Sequence, residues 1–255
     1  MEHKEFRRLN PKGDVAVMFI HGIAGTPKHF VSRIPLQEQV PEEWSVYNVL
    51  LDGHGLGVDD FSRSSMKKWK EQLWRIFNQL SQTHQQVILV GHSMGTLFSI
   101  QLALENPGKI PFLFLLGVPM RPGIKPHMMV TMLRLSFGKI REDRPTEAAV
   151  QDACGVRPTP MLWKYIGWIP RMLELLAEIH LTEKEMDLLT VETVAYQSRR
   201  DEMVTNLSKK VLEKCHAIKI IELPNSAHFY YHPDEADLIC RDFRLRCEEI
   251  KKKKA

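Results

Sequence analysis

The chain has 255 residues, 44% of them hydrophobic, and a formal charge of +4. That length and apolar content suit one large domain with room for an insertion and exclude a disordered or fibrous chain. Part of the weak positive charge is the Lys251–Lys254 run, and no basic stripe interleaves with aromatics, which excludes nucleic acid as an expected partner.

In chain order, MEHKEFRRLN lacks the apolar segment of a secretory signal, and residues 6–9 are predicted to form a short edge strand. Val15 to Ile20 is a continuous apolar run that suits a central strand, and it empties into His21-Gly22-Ile23-Ala24-Gly25-Thr26-Pro27. A second strand is predicted over Ser45–Leu51, ending in Asp52-Gly53-His54-Gly55. Met66, Trp69, Leu73, Ile76, Phe77 and Leu80 then recur at helical spacing behind serines able to start a helix. Val87 to Val90 is another buried-strand run, broken by Gly91-His92-Ser93-Met94-Gly95, and Thr96–Glu105 resumes as a helix. Ile110–Gly117 reads as a strand whose apolar run, Phe112 to Val118, is far too short to cross a bilayer.

Residues 120–190 show helical patterns and no convincing strand. Strands are predicted again over Val191–Gln197 and Ala217–Leu223, with a helix over Val204–Cys215 between them and a final helix over Asp234–Glu249. Alternating strands and helices argue for an α/β fold with a mostly parallel, doubly wound sheet. The expected organisation is a core of residues 1–119 and 191–255, interrupted by a helical cap (lid) insertion over 120–190. The four cysteines, Cys154, Cys215, Cys240 and Cys247, have no C-x-x-C spacing and require no disulfide. Cys240 and Cys247, seven apart, are placed on one face of the last helix. The expectations are a cytoplasmic location and no stable membrane insertion.

The chemistry centres on G-x-S-x-G between a strand and a helix. So sharp a reversal crowds its own backbone, and glycines on either side of Ser93 remove clashing Cβ atoms. The helix that follows aims its first N–H groups at the same point, where negative charge is stabilised. A serine hydroxyl needs a histidine to take its proton and an acid to orient that histidine. In a doubly wound sheet such groups gather past the C-terminal strand ends. After Val191–Gln197 come two neighbouring acids, Asp201 and Glu202. After Ala217–Leu223 comes His228; His216 precedes its strand and His232 opens the last helix.

His21-Gly22-x-x-Gly25, Gly53-His54-Gly55, Gly91-His92-Ser93-Met94-Gly95, Arg200-Asp201 and Ser226-Ala227-His228 together resemble the α/β-hydrolase superfamily. Within it they resemble the monoacylglycerol lipase, lysophospholipase and bacterial carboxylesterase group. Ala227 stands where such families often carry glycine, and Gly55-Leu56-Gly57 where they usually continue with serine. The resemblance implies the α/β-hydrolase fold and a catalytic set of Ser93, Asp201 and His228, with Asp201 preferred over Glu202. It also implies an oxyanion hole from the backbone N–H groups of Ile23 and Met94, whose apolar side chains would line an acyl pocket. The implied activity is hydrolysis of carboxylic esters with apolar acyl groups, and the implied partner a small, lipid-like ester.

His54 and His92 are read as loop-ordering groups. Gly53–Gly57 lacks the third glycine of a dinucleotide fingerprint, Gly22–Lys28 has no G-K-[ST], and no metal-ligand spacing occurs, so no cofactor and no metal are expected. Seven of the 12 methionines (Met120, Met128, Met129, Met132, Met161, Met172, Met186) fall in 120–190, with Trp163, Trp168, Leu133, Leu135, Leu173 and Leu175. Adaptable thioether side chains of this kind suit an apolar acyl pocket above Ser93.

Overall fold

The structure is a computed structural model and describes residues 3–254. Among the described residues seven strands form one sheet: β1 (Phe6–Arg8), β2 (Val15–Ile20), β3 (Ser45–Asn48), β4 (Gln86–His92), β5 (Leu113–Leu116), β6 (Thr193–Ser198) and β7 (Ile218–Leu223). Their order is β1-β3-β2-β4-β5-β6-β7, with β1 antiparallel to β3 and every other pair parallel. Side chains alternate between two cores, as strand geometry requires. Ala16, Met18 and Ile20 of β2 enter one cluster; Val15, Val17 and Phe19 enter the other.

The first cluster is covered by α1 (Val58–Arg63), α2 (Met66–Thr83) and α3 (Met94–Glu105). Ser65 accepts the N–H of Lys68 at 3.2 Å and so starts α2, whose Trp69, Leu73, Ile76, Phe77 and Leu80 are buried. Helix α3 is apolar all round because it is buried all round, from Met94 to Ala103. The opposite face is covered by α8 (Pro233–Lys254), with Ile239, Phe243, Cys247 and Ile250 at three- and four-residue spacing against Phe19 and Phe114. Cys247 is buried and Cys240 packs partly against the same cluster.

Several elements are shorter than the sequence pattern. β3 ends at Asn48; Val49 N–H still donates to the Phe19 carbonyl at 3.1 Å, but the chain after it bonds elsewhere, Leu51 N–H donating to His21 Nε2 at 3.2 Å and the Leu50 carbonyl accepting from Gln72 at 2.9 Å. Pro111 has no N–H to give a ladder, and β5 begins only at Leu113. Val204 and Thr205 pair with Pro122 and Arg121, which leaves α7 only Leu207–Leu212. A single π-helical turn over His29–Arg33, which periodicity did not foretell, leads from β2 towards β3.

Between β5 and β6 lie α4 (Pro126–Ser136), α5 (Pro145–Ala153), a 3-10 stretch (Leu162–Trp168) and α6 (Ile169–Glu185). Ile179 on the second half of α6 joins the sheet-side core, and Glu178 pairs with Lys70 of α2 at 2.7 Å. The loop after α5 docks on the body of the fold. Gly155 N–H donates to the Ala24 carbonyl at 2.7 Å, Gly55 N–H to the Gly155 carbonyl at 2.5 Å, and Arg157 N–H to the Leu56 carbonyl at 2.7 Å. A Cβ on Gly155 would stand 2.5 Å from the Gly25 carbonyl carbon. Among the described residues no helix is long and apolar enough to cross a membrane.

Candidate active site

Ser93 sits between β4 and α3 with φ 51° and ψ −124°, a backbone conformation that L-residues rarely adopt. Its N–H still donates to the Leu116 carbonyl of β5 at 2.9 Å, so the sheet holds one side of the turn. Thr96 holds the other, its N–H and hydroxyl reaching the Ser93 carbonyl at 2.9 and 2.6 Å. The flanking glycines are required by contact. A Cβ on Gly91 would lie 2.8 Å from the Gly95 carbonyl oxygen, and one on Gly95 would lie 2.7 Å from the Ile20 carbonyl carbon. Gly22 is under the same constraint, since a Cβ there would meet Ser93 Cβ at 2.8 Å.

Asp201 follows β6 and His228 follows β7, and the two side chains meet. His228 Nδ1 lies 2.7 Å from Asp201 Oδ2, both residues being buried. The other Asp201 oxygen accepts the backbone N–H groups of Met203 and Val204, each at 2.7 Å. A carboxylate held by three donors is fixed in orientation, and it accepts the hydrogen bond of the His228 Nδ1–H, which keeps that proton on Nδ1 and leaves the Nε2 lone pair free. Burial pulls the His228 pKa down, but the Asp201 charge and hydrogen bond, with the Glu202 charge, outweigh it, and the net shift is upward.

Glu202, the rival acid, does something else: its Oε2 accepts the backbone N–H of His228 at 2.8 Å and pins the loop. His92 pins it too, donating from Nε2 to the His228 carbonyl at 3.1 Å. Glu235, at the start of α8, completes the support by accepting the N–H of Asn225 at 2.9 Å and the hydroxyl of Ser226. Gly117 lies under the pair at φ +62°, and a Cβ there would stand 3.4 Å from His228 Cε1. Nothing in the sequence marks Glu202 and Glu235 for these tasks, because a backbone contact made by a side chain leaves no spacing signature.

His21 Nδ1 donates to the Gly22 carbonyl at 2.9 Å and its Nε2 accepts from Leu51, so both nitrogens order loops. His54 reaches the Asp52 carbonyl at 3.1 Å from a bed of His21, Phe61 and Trp69. Burial holds His21 and His92 well below the usual histidine range and brings His54 to about 4, so all three are neutral at pH 7.

Ser93, His228, His21, Gly22, Ile23 and His29 border one small cavity of about 30 Å³. Ile23, Ala153, Met203 and Phe229 border both it and an adjacent apolar chamber of about 430 Å³. Met129, Met132, Met172, Leu133, Leu135 and Trp168 line that chamber. Met120, Met128, Met161, Met186, Trp163, Leu173 and Leu175, expected in the same pocket, do not. Met120 and Met186 are in the core, and Trp163 is 66% exposed. The two backbone N–H candidates also part company in their side chains: Ile23 lines the chamber, whereas Met94 is fully buried in the sheet-side core. That corrects the expectation for Met94 and follows from its place as the first residue of an all-buried helix. Among the described residues no cluster of three or more His, Cys, Asp or Glu side chains is placed to hold a metal.

The comparisons with known proteins agree with this architecture. Thermostable monoacylglycerol lipase of Bacillus sp. (strain H-257) is 30% identical over 111 residues, which cover 42% of this chain and 43% of that protein. The matched region thus spans less than half of that relative. Among solved structures, one reported for LipS and LipT, two metagenome-derived lipolytic enzymes, superposes with a TM-score of 0.73 at 16% identity, covering 96% of this chain and 97% of that one. Monoacylglycerol lipase of Paleococcus ferrophilus gives a TM-score of 0.67 at 16% identity, covering 97% and 98%. These two show a shared fold. A model of the alpha/beta hydrolase family matches residues 17–241, from within β2 to the first turns of α8, and the chain therefore belongs to the alpha/beta hydrolase family.

Proposed function

We propose that this chain is a cofactor-independent serine hydrolase that cleaves carboxylic esters of apolar acyl groups, as a carboxylesterase or monoacylglycerol lipase does. The observation that carries the reading is the Asp201–His228 pair at 2.7 Å opening onto the same cavity as Ser93, next to an apolar chamber. Ser93 Oγ attacks the ester carbonyl while His228 Nε2 takes its proton. His228 then delivers that proton to the leaving alcohol, and Asp201 orients the ring and stabilises its charged form. The backbone N–H groups of Ile23 and Met94 receive the oxyanion, where one lost donor costs on the order of 3 kcal/mol in known cases. Water activated by His228 releases the acid. Residues 120–190 act as a cap that shapes the acyl chamber. The lipase identity of the Bacillus relative and the lining by Met129, Met132, Met172, Leu133 and Trp168 support an acyl chain as the occupant.

The direct test is Ser93→Ala. The variant is expected to lose p-nitrophenyl ester hydrolysis and the mass shift caused by a fluorophosphonate, and full residual activity would remove Ser93 from the mechanism. Ester, thioester and amide panels at matched acyl length distinguish the proposed esterase from a thioesterase, amidase or acyltransferase built on the same three residues. Absence of fluorophosphonate labelling in the wild-type protein would favour a non-catalytic binding role.

A further inference from the structure

Four imidazoles, His21, His29, His92 and His228, border the cavity at Ser93. Three have assigned bonds: both nitrogens of His21 order loops, His92 Nε2 holds the His228 carbonyl, and His228 Nδ1 binds Asp201. His29 differs. It opens the π-helical turn, an irregularity common at functional sites, and is 2% exposed. Its ring stacks on His92 with centroids 3.7 Å apart and planes at 28°. Its Nε2 is buried with no hydrogen-bond partner. Such an orphaned polar atom calls for an explanation, and an ordered water is the usual one. Burial and the neighbouring His228 lower its pKa to about 3, so the ring stays neutral and keeps a lone pair for a donor. The cavity, at about 30 Å³, has room for about one water.

We propose that His29 positions the water that hydrolyses the acyl-enzyme. The inference rests on the serine-hydrolase reading above and adds to it the group that selects water as the acyl acceptor. One water O–H points at His228 Nε2 and the other is accepted by the His29 imidazole, which leaves an oxygen lone pair facing the acyl carbon. The water oxygen bonds to that carbon as its first proton passes to His228. Collapse then breaks the bond between the carbon and Ser93 Oγ, the proton moves from His228 to Oγ, and the free acid departs. His29 exchanges no proton. An alcohol has a single O–H, which His228 takes, so an alcohol gains nothing from His29.

That asymmetry gives the test. Acyl-enzyme formed from a p-nitrophenyl ester is partitioned between water and added methanol, and the ratio of methyl ester to free acid is measured. Partition is decided after acylation, so the ratio is independent of the acylation rate, and total turnover is referred to fluorophosphonate-titrated sites, so misfolded protein drops out. His29→Phe keeps a flat ring against His92 and removes the acceptor. It is expected to raise the methyl ester to acid ratio about tenfold, the effect of one transition-state hydrogen bond. His29→Gln restores an acceptor and is expected to return the ratio most of the way. His29→Leu serves if the Phe variant gives no titratable sites. A ratio within twofold of wild type in both apolar variants, or one that Gln fails to lower, overturns the proposal. A wild-type protein that fluorophosphonate does not titrate would instead overturn the serine-hydrolase reading itself.

Discussion

Replacing Asp201 by Asn tests the orientation of His228 with almost no change of shape. The carboxylate makes two kinds of bond: Oδ1 accepts the N–H groups of Met203 and Val204 at 2.7 Å each, and Oδ2 accepts from His228 Nδ1 at 2.7 Å. An amide has one oxygen. If it stays on the two backbone donors, the NH2 group faces His228, Nδ1 must become the acceptor, and the proton moves to Nε2, where it blocks abstraction from Ser93. If the amide turns over, two buried N–H groups lose their acceptor at about 1–3 kcal/mol each. The productive arrangement therefore lies roughly 2–6 kcal/mol above the unproductive one. At 1.36 kcal/mol per factor of ten, the middle of that range is about a thousandfold. Asp201→Asn is expected to lower kcat/KM for a p-nitrophenyl ester by about 10³–10⁴. Far-ultraviolet circular dichroism is expected to be unchanged. The companion Glu202→Gln keeps an oxygen for the His228 N–H and is expected to retain activity within about tenfold. If Asp201→Asn keeps more than a tenth of the wild-type rate, the acid has been misassigned.

Further outcomes follow from other parts of the structure. In the proposed mechanism only the neutral ring of His228 accepts the serine proton, so its upward shift is expected to place the acid limb of kcat/KM above pH 6.5; a limb centred below 6 would contradict this. His21, His29, His54 and His92 are kept neutral by burial, His29 to about 3 and His54 to about 4, so below pH 6.5 the unfolded chain binds protons that the fold refuses. Their stabilisation is complete above pH 6.5 and is lost on acidification at up to about 1.4 kcal/mol per pH unit for each. His228 works in the opposite sense, and the four outweigh the one. Tm is thus expected to fall steeply from pH 6.5 to 5, and a flat profile would show that these rings are hydrated. In Gly95→Ala the new Cβ would press on the Ile20 backbone, 2.7 Å from its carbonyl carbon, which neither strand nor helix can yield. A loss of at least about 3 kcal/mol in urea unfolding is expected, and less than 1 would refute the contact argument. Ala153 borders both the cavity at Ser93 and the apolar chamber, so Ala153→Leu narrows the passage between them. Octanoyl esters are expected to lose more activity than acetyl esters, and equal losses would disconnect the chamber from catalysis.

The residues that the proposed chemistry needs most are the most legible in the sequence. Ser93 announces itself because a strained turn tolerates only glycine at Gly91 and Gly95. Asp201 and His228 stand out because parallel strands all end on the same side, and whatever follows β6 and β7 is delivered to one rim. Choosing between Asp201 and Glu202 required resemblance, since adjacent acids look alike in one dimension. In three, Asp201 meets the imidazole and Glu202 meets the backbone behind it. The apolar runs overshoot the strand ends for a similar reason. Leu50–Leu51 and Ile110–Phe112 are apolar enough for strands, but tertiary hydrogen bonds and Pro111 remove them from the ladder. His29 gave no signal, because its place follows from a π turn that periodicity does not encode.

The Gly155 contact bears on how the helices between β5 and β6 can be exchanged. This loop is wedged between Ala24 and Gly55 by two backbone bonds, and its Cα has no space beside Gly25 for even a methyl group. The strand-like strap from 154 to 157 is thus a fixed pier next to Ile23, and any hinge belongs to the span before α5 or after Arg157. A chimera that imports foreign helices while retaining residues 154–157 keeps the loop around Ile23 intact. One that replaces those four residues must bring its own glycine to the same point.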